Sequence, residues 1–260
     1  MPVTLEIKSN DSAVKEQRET TARRVIDYFS DGLPPTRLLC FLDDDDPAVL
    51  KAELGAANRG LYGPIHDSTP LAIWPDYVIG CILVDDGISL PFPRIIDDLV
   101  YLYGSTCANE VGLTMTLAHE LQHAIQHYNV RQIWAVNSLV RQVPRAIKAL
   151  NLMWADIPTE LDARAVSKRV ALHLFTEQRV SQYIDRKIAE NLSEGDVADW
   201  QFVRTLTSTN SVDLVGSTHM IFERLKDHKP ELETALQRMK EWNPEDFGDI
   251  ELNPYFAVPT

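Results

Sequence analysis

Two histidines and a glutamate stand close together at residues 119–123, where the sequence reads His-Glu-Leu-Gln-His. An α-helix advances about 3.6 residues per turn, so His119 and His123 would share one face and could offer two imidazole nitrogens to a single ion. Glu120 would lie about 100° round the helix from His119 and about 60° from His123, close enough to reach a water on that ion without ligating it. This HExxH spacing favours a zinc ion, with Glu120 as a general base.

The segment around the motif has the pattern of an amphipathic helix. Residues 111–129 contain no proline, and Thr106 or Asn109 can cap the amino terminus. An alternative interpretation, in which the histidines are ordinary core residues, would leave Glu120 on the buried side of the helix without a role. The polar groups of this helix gather on one stripe. The side that faces the ion would carry Gly112, Met115, Thr116, His123, Gln126 and His127.

A catalytic zinc site usually has three protein ligands and leaves a fourth position to water, so a further ligand is needed. The candidates are Glu160, Asp162, His127 and His173. His127 continues the spacing of the first two histidines, but a helix rises about 6 Å over four residues, and one ion cannot easily meet all three rings.

The two carboxylates lie on a second predicted helix, residues 158–178, with Pro158 in its first turn and Asp156 or Thr159 near its cap. Small residues share the face of Glu160 and would allow this helix to approach the first one closely. Asp162 would point about 200° away from Glu160, where a supporting or surface role is expected. The small residues are Ala163, Ser167 and Ala171.

Residues 109–178 resemble the gluzincin group of zinc metallopeptidases. The resemblance lies in the HELQH segment and in Glu160-Leu161-Asp162-Ala163, which matches the E-x-[E/D]-A pattern of that group's second helix. It implies one zinc ion per chain with His119, His123 and Glu160 as ligands, and hydrolysis of peptide bonds in a protein or peptide substrate. Arg164 departs from the pattern, because that group more often has there a short carboxylate or amide that supports a ligand histidine.

Other functions remain open at this point. A zinc-binding regulatory or interaction protein with little or no turnover would keep the same ligands; Arg164 favours it and the intact Glu120 argues against it. A third hypothesis is a fortuitous motif on a helical interaction module. A peptidase would also need a side chain that stabilises the oxyanion, and the sequence does not select among the candidates. These are His219, Tyr183, His173 and Arg164.

The hydrophobic patterns predict an α+β fold, with a small amino-terminal sheet followed by a mostly helical carboxy-terminal portion. The resemblance implies that this fold is of the zincin type. We expect residues 1–108 to form the mixed α/β part, with the small sheet, and residues 109–260 to form the helical part that carries the zinc motif. Both parts together are expected to form one continuous catalytic unit. Strands are predicted at 37–42 and 77–84, with a strand or short helix at Asp97 and Asp98. The resemblance implies that extended peptide binds an edge strand, for which 77–84 is the candidate. Helices are predicted at 13–28, 131–152, 158–178, 181–192, 197–207, 215–225 and 231–242, with an irregular tail after Asn243.

Composition limits the partners. The net charge of −13 over 260 residues argues against nucleic acid and against anionic membranes as main partners. The three cysteines, Cys40, Cys81 and Cys107, lie in or beside apolar runs and are expected to be reduced core thiols. No apolar run is long enough to span a bilayer, so a cytoplasmic location is expected, and the oligomeric state is left open.

Overall fold

The computed structural model describes residues 3–9, 11–33, 37–43, 60–65, 97–190 and 194–257. The predicted strand at 77–84 and Cys81 lie outside these residues. The chain divides into two compact units, Met1–Ala124 and Ile125–Thr260. The division falls inside one helix rather than before it, so that helix begins in the first unit and ends in the second.

The first unit contains a four-stranded mixed sheet with the order β1-β2-β4-β3. Its strands are β1 (Val3–Lys8), β2 (Arg37–Asp43), β3 (Gly60–Ile65) and β4 (Asp97–Tyr103). β2 pairs in parallel with β1 and with β4, whereas β3 runs antiparallel to β4, with Tyr62 opposite Val100. The predicted strand at 37–42 is confirmed, and Asp97 and Asp98 belong to a strand. β3 is therefore an edge strand of the described sheet and runs antiparallel to its neighbour β4.

The inner strand β4 is the most completely described buried strand of the sheet. From Leu99 to Tyr103 every side chain of β4 is buried, as is typical of a parallel strand covered on both faces. Asp98 is also buried and accepts a hydrogen bond of 2.7 Å from the Tyr62 hydroxyl on β3. Helix α1 (Ser12–Tyr28) packs on β1 and turns Ala22 and Val25 into the core. The helix predicted at 13–28 is confirmed.

The helix of the HExxH motif, α2 (Glu110–Asn129), follows a 3₁₀ turn at Gly104–Ala108. Of the two predicted caps, Asn109 is the one used. Its backbone is extended, and its side-chain oxygen accepts hydrogen bonds from the backbone nitrogens of Val111 at 3.0 Å and Gly112 at 3.1 Å. The cap satisfies backbone donors that have no partner inside the first turn of the helix.

The described part of the second unit is helical and has its own hydrophobic core. Apolar residues of several helices meet there, among them Val136, Leu139, Phe222, Leu232 and Phe247. The helices are α3 (Arg131–Arg141), α4 (Pro144–Ala149), α5 (Pro158–Leu174), α6 (Glu177–Ala189), α7 (Glu194–Thr205), α8 (Leu214–Arg224) and α9 (Lys229–Trp242). A 3₁₀ turn, Trp154–Asp156, precedes α5. The α+β architecture, with a small amino-terminal sheet and a mostly helical remainder, agrees with the prediction.

Several predicted boundaries were wrong. The helix expected at 131–152 is interrupted at Gln142 and Val143, because Pro144 has no backbone N–H for a continuous helix and instead begins α4. The helix expected at 158–178 ends at Leu174, and Thr176 caps the next one by accepting a hydrogen bond from the Arg179 backbone nitrogen.

Two further expectations need correction. Ile157 occupies the cap position of α5 without a side-chain hydrogen bond, whereas Asp156 accepts a hydrogen bond of 2.8 Å from the Met153 backbone nitrogen within the 3₁₀ turn. The tail after Asn243 is not irregular throughout. It contains short helices at Pro244–Phe247 and Asn253–Phe256, each with proline in its first turn.

Both described cysteines are buried, as expected for core thiols. They are Cys40 on β2 and Cys107 in the 3₁₀ turn before α2. Burial raises the pKa of the Cys40 thiol to about 12, so this group stays protonated at neutral pH. None of the helices in the described ranges combines the length and the apolar character needed to cross a bilayer.

The cap of α2 gives a test of local stability. Replacing Asn109 by Ala leaves the backbone N–H groups of Val111 and Gly112 without their side-chain acceptor, and we expect the free energy of unfolding to fall by about 1 kcal/mol. Urea unfolding followed by circular dichroism measures this as a lower midpoint at unchanged slope. Asn109→Ser keeps an acceptor and is the control. Equal midpoints for Asn109→Ala and the wild type would contradict the assignment.

Candidate metal centre

The two motif histidines meet on α2. The Nε2 atom of His123 lies 3.1 Å from the Nε2 atom of His119, and the two rings are almost perpendicular, with centroids 4.7 Å apart. His123 is buried and His119 is half-buried. The i, i+4 spacing therefore brings one nitrogen of each ring to within 3.1 Å of the other, so the two rings share one face of α2 as the sequence predicted.

Glu120 lies on the same turn of α2 as the first histidine and is buried. A carboxylate in a low-dielectric environment interacts more strongly with nearby charge than one in water does. The neighbouring apolar positions, Leu117 and Leu121, are fully buried, which fixes the orientation of α2 and hence the direction of its polar stripe.

The first turn of α5 is held against the last turns of α2 through Gln126. Its Nε2 atom donates hydrogen bonds to the Thr159 carbonyl oxygen at 3.0 Å and to the Asp162 Oδ2 atom at 2.8 Å. Gln126 lies on the stripe of α2 that the sequence assigned to the ion. Asp162 thus supports the contact of the two helices, although its predicted direction pointed away from the face of Glu160 that was expected to approach α2.

Glu160 supplies the carboxylate that lies near the two motif histidines. His119, His123 and Glu160 each offer one ligand atom, and these three atoms lie within 4.8 Å of one another. Pro158 begins α5 and places Glu160 in its first turn, where the carboxylate is almost fully buried. In the described part of the chain, no other group of three or more His, Cys, Asp or Glu side chains has this geometry.

The other predicted candidates for the third ligand lie elsewhere. The Nε2 atom of His127 is 2.8 Å from the Asp246 Oδ1 atom, and its ring packs against Trp134 with centroids 4.5 Å apart. His173 is exposed in the last turn of α5. Neither belongs to the group formed by His119, His123 and Glu160.

Arginines contact both oxygens of the Glu160 carboxylate. Arg164, one turn further along α5, donates from Nη1 to Oε2 at 3.0 Å, and Arg141 at the end of α3 donates from Nη2 to Oε1. Arg164 also donates from Nε and Nη2 to the Asp199 Oδ2 atom on α7, at 3.1 and 2.7 Å. A buried carboxylate requires such compensation, because removing its charge from water is costly.

The pKa of Arg164 reflects these neighbours. Burial by itself lowers the pKa of the guanidinium, but the negative charges of Glu160 and Asp199, together with their hydrogen bonds, outweigh burial and leave the pKa raised. Arg164 therefore remains charged at neutral pH.

Of the residues considered for oxyanion stabilisation, Arg164 is the one that contacts the group of ligand atoms. His219 pairs with the Tyr255 carbonyl oxygen at 3.3 Å, Tyr183 packs edge-on against Trp200, and His173 is exposed. Sequence reasoning did not identify Arg141 or Asp199. Both lie on helices other than that of Glu160, so no local spacing relates them to it.

The donor types and the distance between the two imidazole nitrogens are compatible with a metal ion such as zinc. Two nitrogens that are each about 2.0 to 2.1 Å from a tetrahedral zinc are about 3.3 to 3.4 Å apart, close to the 3.1 Å between the two Nε2 atoms. Two imidazoles and one carboxylate form a ligand set that catalytic zinc sites use. His119, His123 and Glu160 are therefore the residues that would hold the ion.

Comparison with known proteins adds no relative. No family model matches the chain, and neither a curated protein nor a solved structure matches it.

Proposed function

We propose that this protein is a zinc-dependent metallopeptidase that hydrolyses peptide bonds. The observation that carries the proposal is the HExxH pair on α2, whose Nε2 atoms lie 3.1 Å apart beside the buried Glu120. The carboxylate of Glu160 supports it as a third ligand in the same small volume. The resemblance to gluzincins, with the zincin fold that it implies, rests on the same residues.

Glu120 has the central chemical role in this proposal. Zinc held by His119, His123 and Glu160 would supply a Lewis acid for the scissile carbonyl and lower the pKa of a coordinated water. Glu120 accepts the proton of the attacking water and later delivers it to the leaving amine, as general acid and base catalysis requires. Glu120 lies about 100° round α2 from His119, so it is not one of the ligands and can reach a water on the ion.

A second candidate is a zinc-binding regulatory or interaction protein with little or no turnover. The arginines at Glu160 favour it, because Arg141 and Arg164 already neutralise the carboxylate that the metal would share. The two functions use the same ligands and differ in whether Glu120 transfers protons. Bound zinc without peptide hydrolysis by the wild type would support this second candidate.

The metal content of the purified protein tests the ligands. We expect close to one zinc per chain when the protein is purified without chelators, and His119→Ala or His123→Ala should remove most of it, since each variant loses one nitrogen ligand. Inductively coupled plasma mass spectrometry measures the ratio. His173→Ala, at an exposed position of α5, is the matched control and should keep the metal. Full occupancy in both ligand variants would refute the site.

Replacing Glu120 by Gln tests the general base. The amide keeps the size of the side chain and leaves the ligands intact but cannot accept the proton, so peptide hydrolysis should fall at least about a hundredfold while zinc stays bound. A mixed peptide library analysed by mass spectrometry gives the rates, and metal analysis of the same sample is the control. Wild-type rates in Glu120→Gln with zinc retained would mean that the chemistry lies elsewhere.

The two carboxylates of α5 can be ranked by zinc affinity. Glu160→Ala removes a ligand and should weaken binding severely, whereas Asp162→Ala removes the acceptor of the Gln126 hydrogen bond and should cost at most about 10- to 100-fold. Competition titration against a zinc-binding dye, under one buffer condition, measures both variants. A larger loss in Asp162→Ala than in Glu160→Ala would exclude Glu160 as the third ligand.

A further inference from the structure

Glu160 is held by two arginines that differ in how firmly they are anchored. Its carboxylate side chain is 3% exposed, and Arg164 and Arg141 contact different oxygens of it. Arg164 comes from the same helix, one turn further along, whereas Arg141 reaches Glu160 from the last turn of α3. All of these residues belong to the second compact unit.

Arg164 is fixed on two sides. Its Nε and Nη2 atoms both donate to the Asp199 Oδ2 atom, and its Nη1 atom donates to Glu160. Its side chain is 11% exposed. A planar guanidinium gripped in this way by a carboxylate of another helix has little freedom to rotate, so the direction of its bond to the Oε2 atom of Glu160 is set in advance.

Arg141 is held more loosely. It contacts Glu160 through Nη2 alone, and its Nε atom is buried without a hydrogen-bond partner among the described residues. Its guanidinium lies over the ring of Trp154 at 5.1 Å from the centroid. The Arg141 side chain is 28% exposed and Trp154 is 44% exposed, so the arginine can move toward water with little loss of packing.

We propose that the two arginines have opposite effects on metal binding: Arg164, anchored by Asp199, is a positioning residue that orients Glu160 toward the metal, and Arg141 is an exchangeable counter-ion that the metal displaces. This inference rests on the proposed function, in which Glu160 is the third ligand. A divalent cation that took the oxygen contacted by Arg141 would leave in place the bond between Oε2 and Arg164. The positive charge of Arg141 would repel that cation at close range, so the two compete for one carboxylate.

The two roles predict changes in zinc affinity of opposite direction when each arginine is replaced. Arg164→Gln should weaken zinc binding about 10- to 100-fold, as the loss of a group that orients a ligand does, and Asp199→Asn should change affinity in the same direction. Arg141→Gln should tighten zinc binding about fivefold or more, because it removes the competitor. Competition titration with zinc alone against a dye measures all of these variants. Circular dichroism checks that each is folded, and Asp199→Asn tests the role of Arg164 without altering Arg164 itself.

The dependence on Glu160 provides a control. In a Glu160→Gln background, Arg141→Gln should not tighten zinc binding, because the exchange requires the carboxylate.

Zinc should also change the fluorescence of Trp154 when Arg141 leaves its ring. That change should disappear in Arg141→Gln, and Trp154→Phe identifies the signal among the five tryptophans of the chain. A purely structural role for Arg141 would not produce this pattern.

The outcomes distinguish this proposal from the proposed function. If zinc binds the wild type and depends on His119 and His123, the proposed metal site stands, and the arginine variants alone decide the inference. Weaker zinc binding in Arg141→Gln would overturn the exchange, and wild-type affinity in both Arg164→Gln and Asp199→Asn would overturn the positioning role. Absence of zinc binding by the wild type would overturn both proposals.

Discussion

The buried carboxylate of Glu160 sets the main constraint on the helical part of this protein. An ionised carboxylate that is removed from water loses several kcal/mol of solvation unless it is paired, and the guanidinium that pairs with it needs compensation in turn. Arg164 pairs with the Glu160 carboxylate, and Asp199 pairs with the Arg164 guanidinium. A network of ion pairs therefore connects α5 with α7. Arg141 adds a contact from α3. This network of ion pairs therefore helps to fix the positions of α3, α5 and α7 relative to one another.

Stability alone does not account for four charged groups at this point. Well-packed hydrophobic residues of similar volume often give the same or greater stability than a buried ion pair. The second unit also has an apolar core around Val136, Leu139 and Phe222, which contributes to its stability independently of these charges. A role for Glu160 as a ligand gives a physical reason why a carboxylate, and not a leucine, occupies the first turn of α5.

The peptidase and the regulatory zinc protein share most of their physical basis. Both need the stacked imidazoles of α2, and both need a charge-compensated carboxylate on α5. They differ in the use of the buried Glu120, which transfers protons only in the peptidase. The absence of matching families or structures means that the assignment depends on this local chemistry alone.

The sequence by itself determined the parts of the protein that depend on local spacing. The stacking of His119 and His123 follows from the helical repeat, whereas side-chain chemistry narrowed the cap of α2 to Thr106 or Asn109 and the structure selected Asn109. The choice of Glu160 came from a resemblance confined to a few adjacent residues. Helix ends were less predictable, because Pro144 and Thr176 begin new helices where the apolar pattern continues without a break.

Only the tertiary structure decided which distant residues meet. Arg141 and Asp199 lie on α3 and α7, at sequence separations from Glu160 and Arg164 that carry no periodic signal. The order of the sheet, with β4 between β2 and the antiparallel β3, likewise has no local signature. Such contacts arise from how whole elements pack, which depends on the summed burial of many side chains rather than on the spacing of a few.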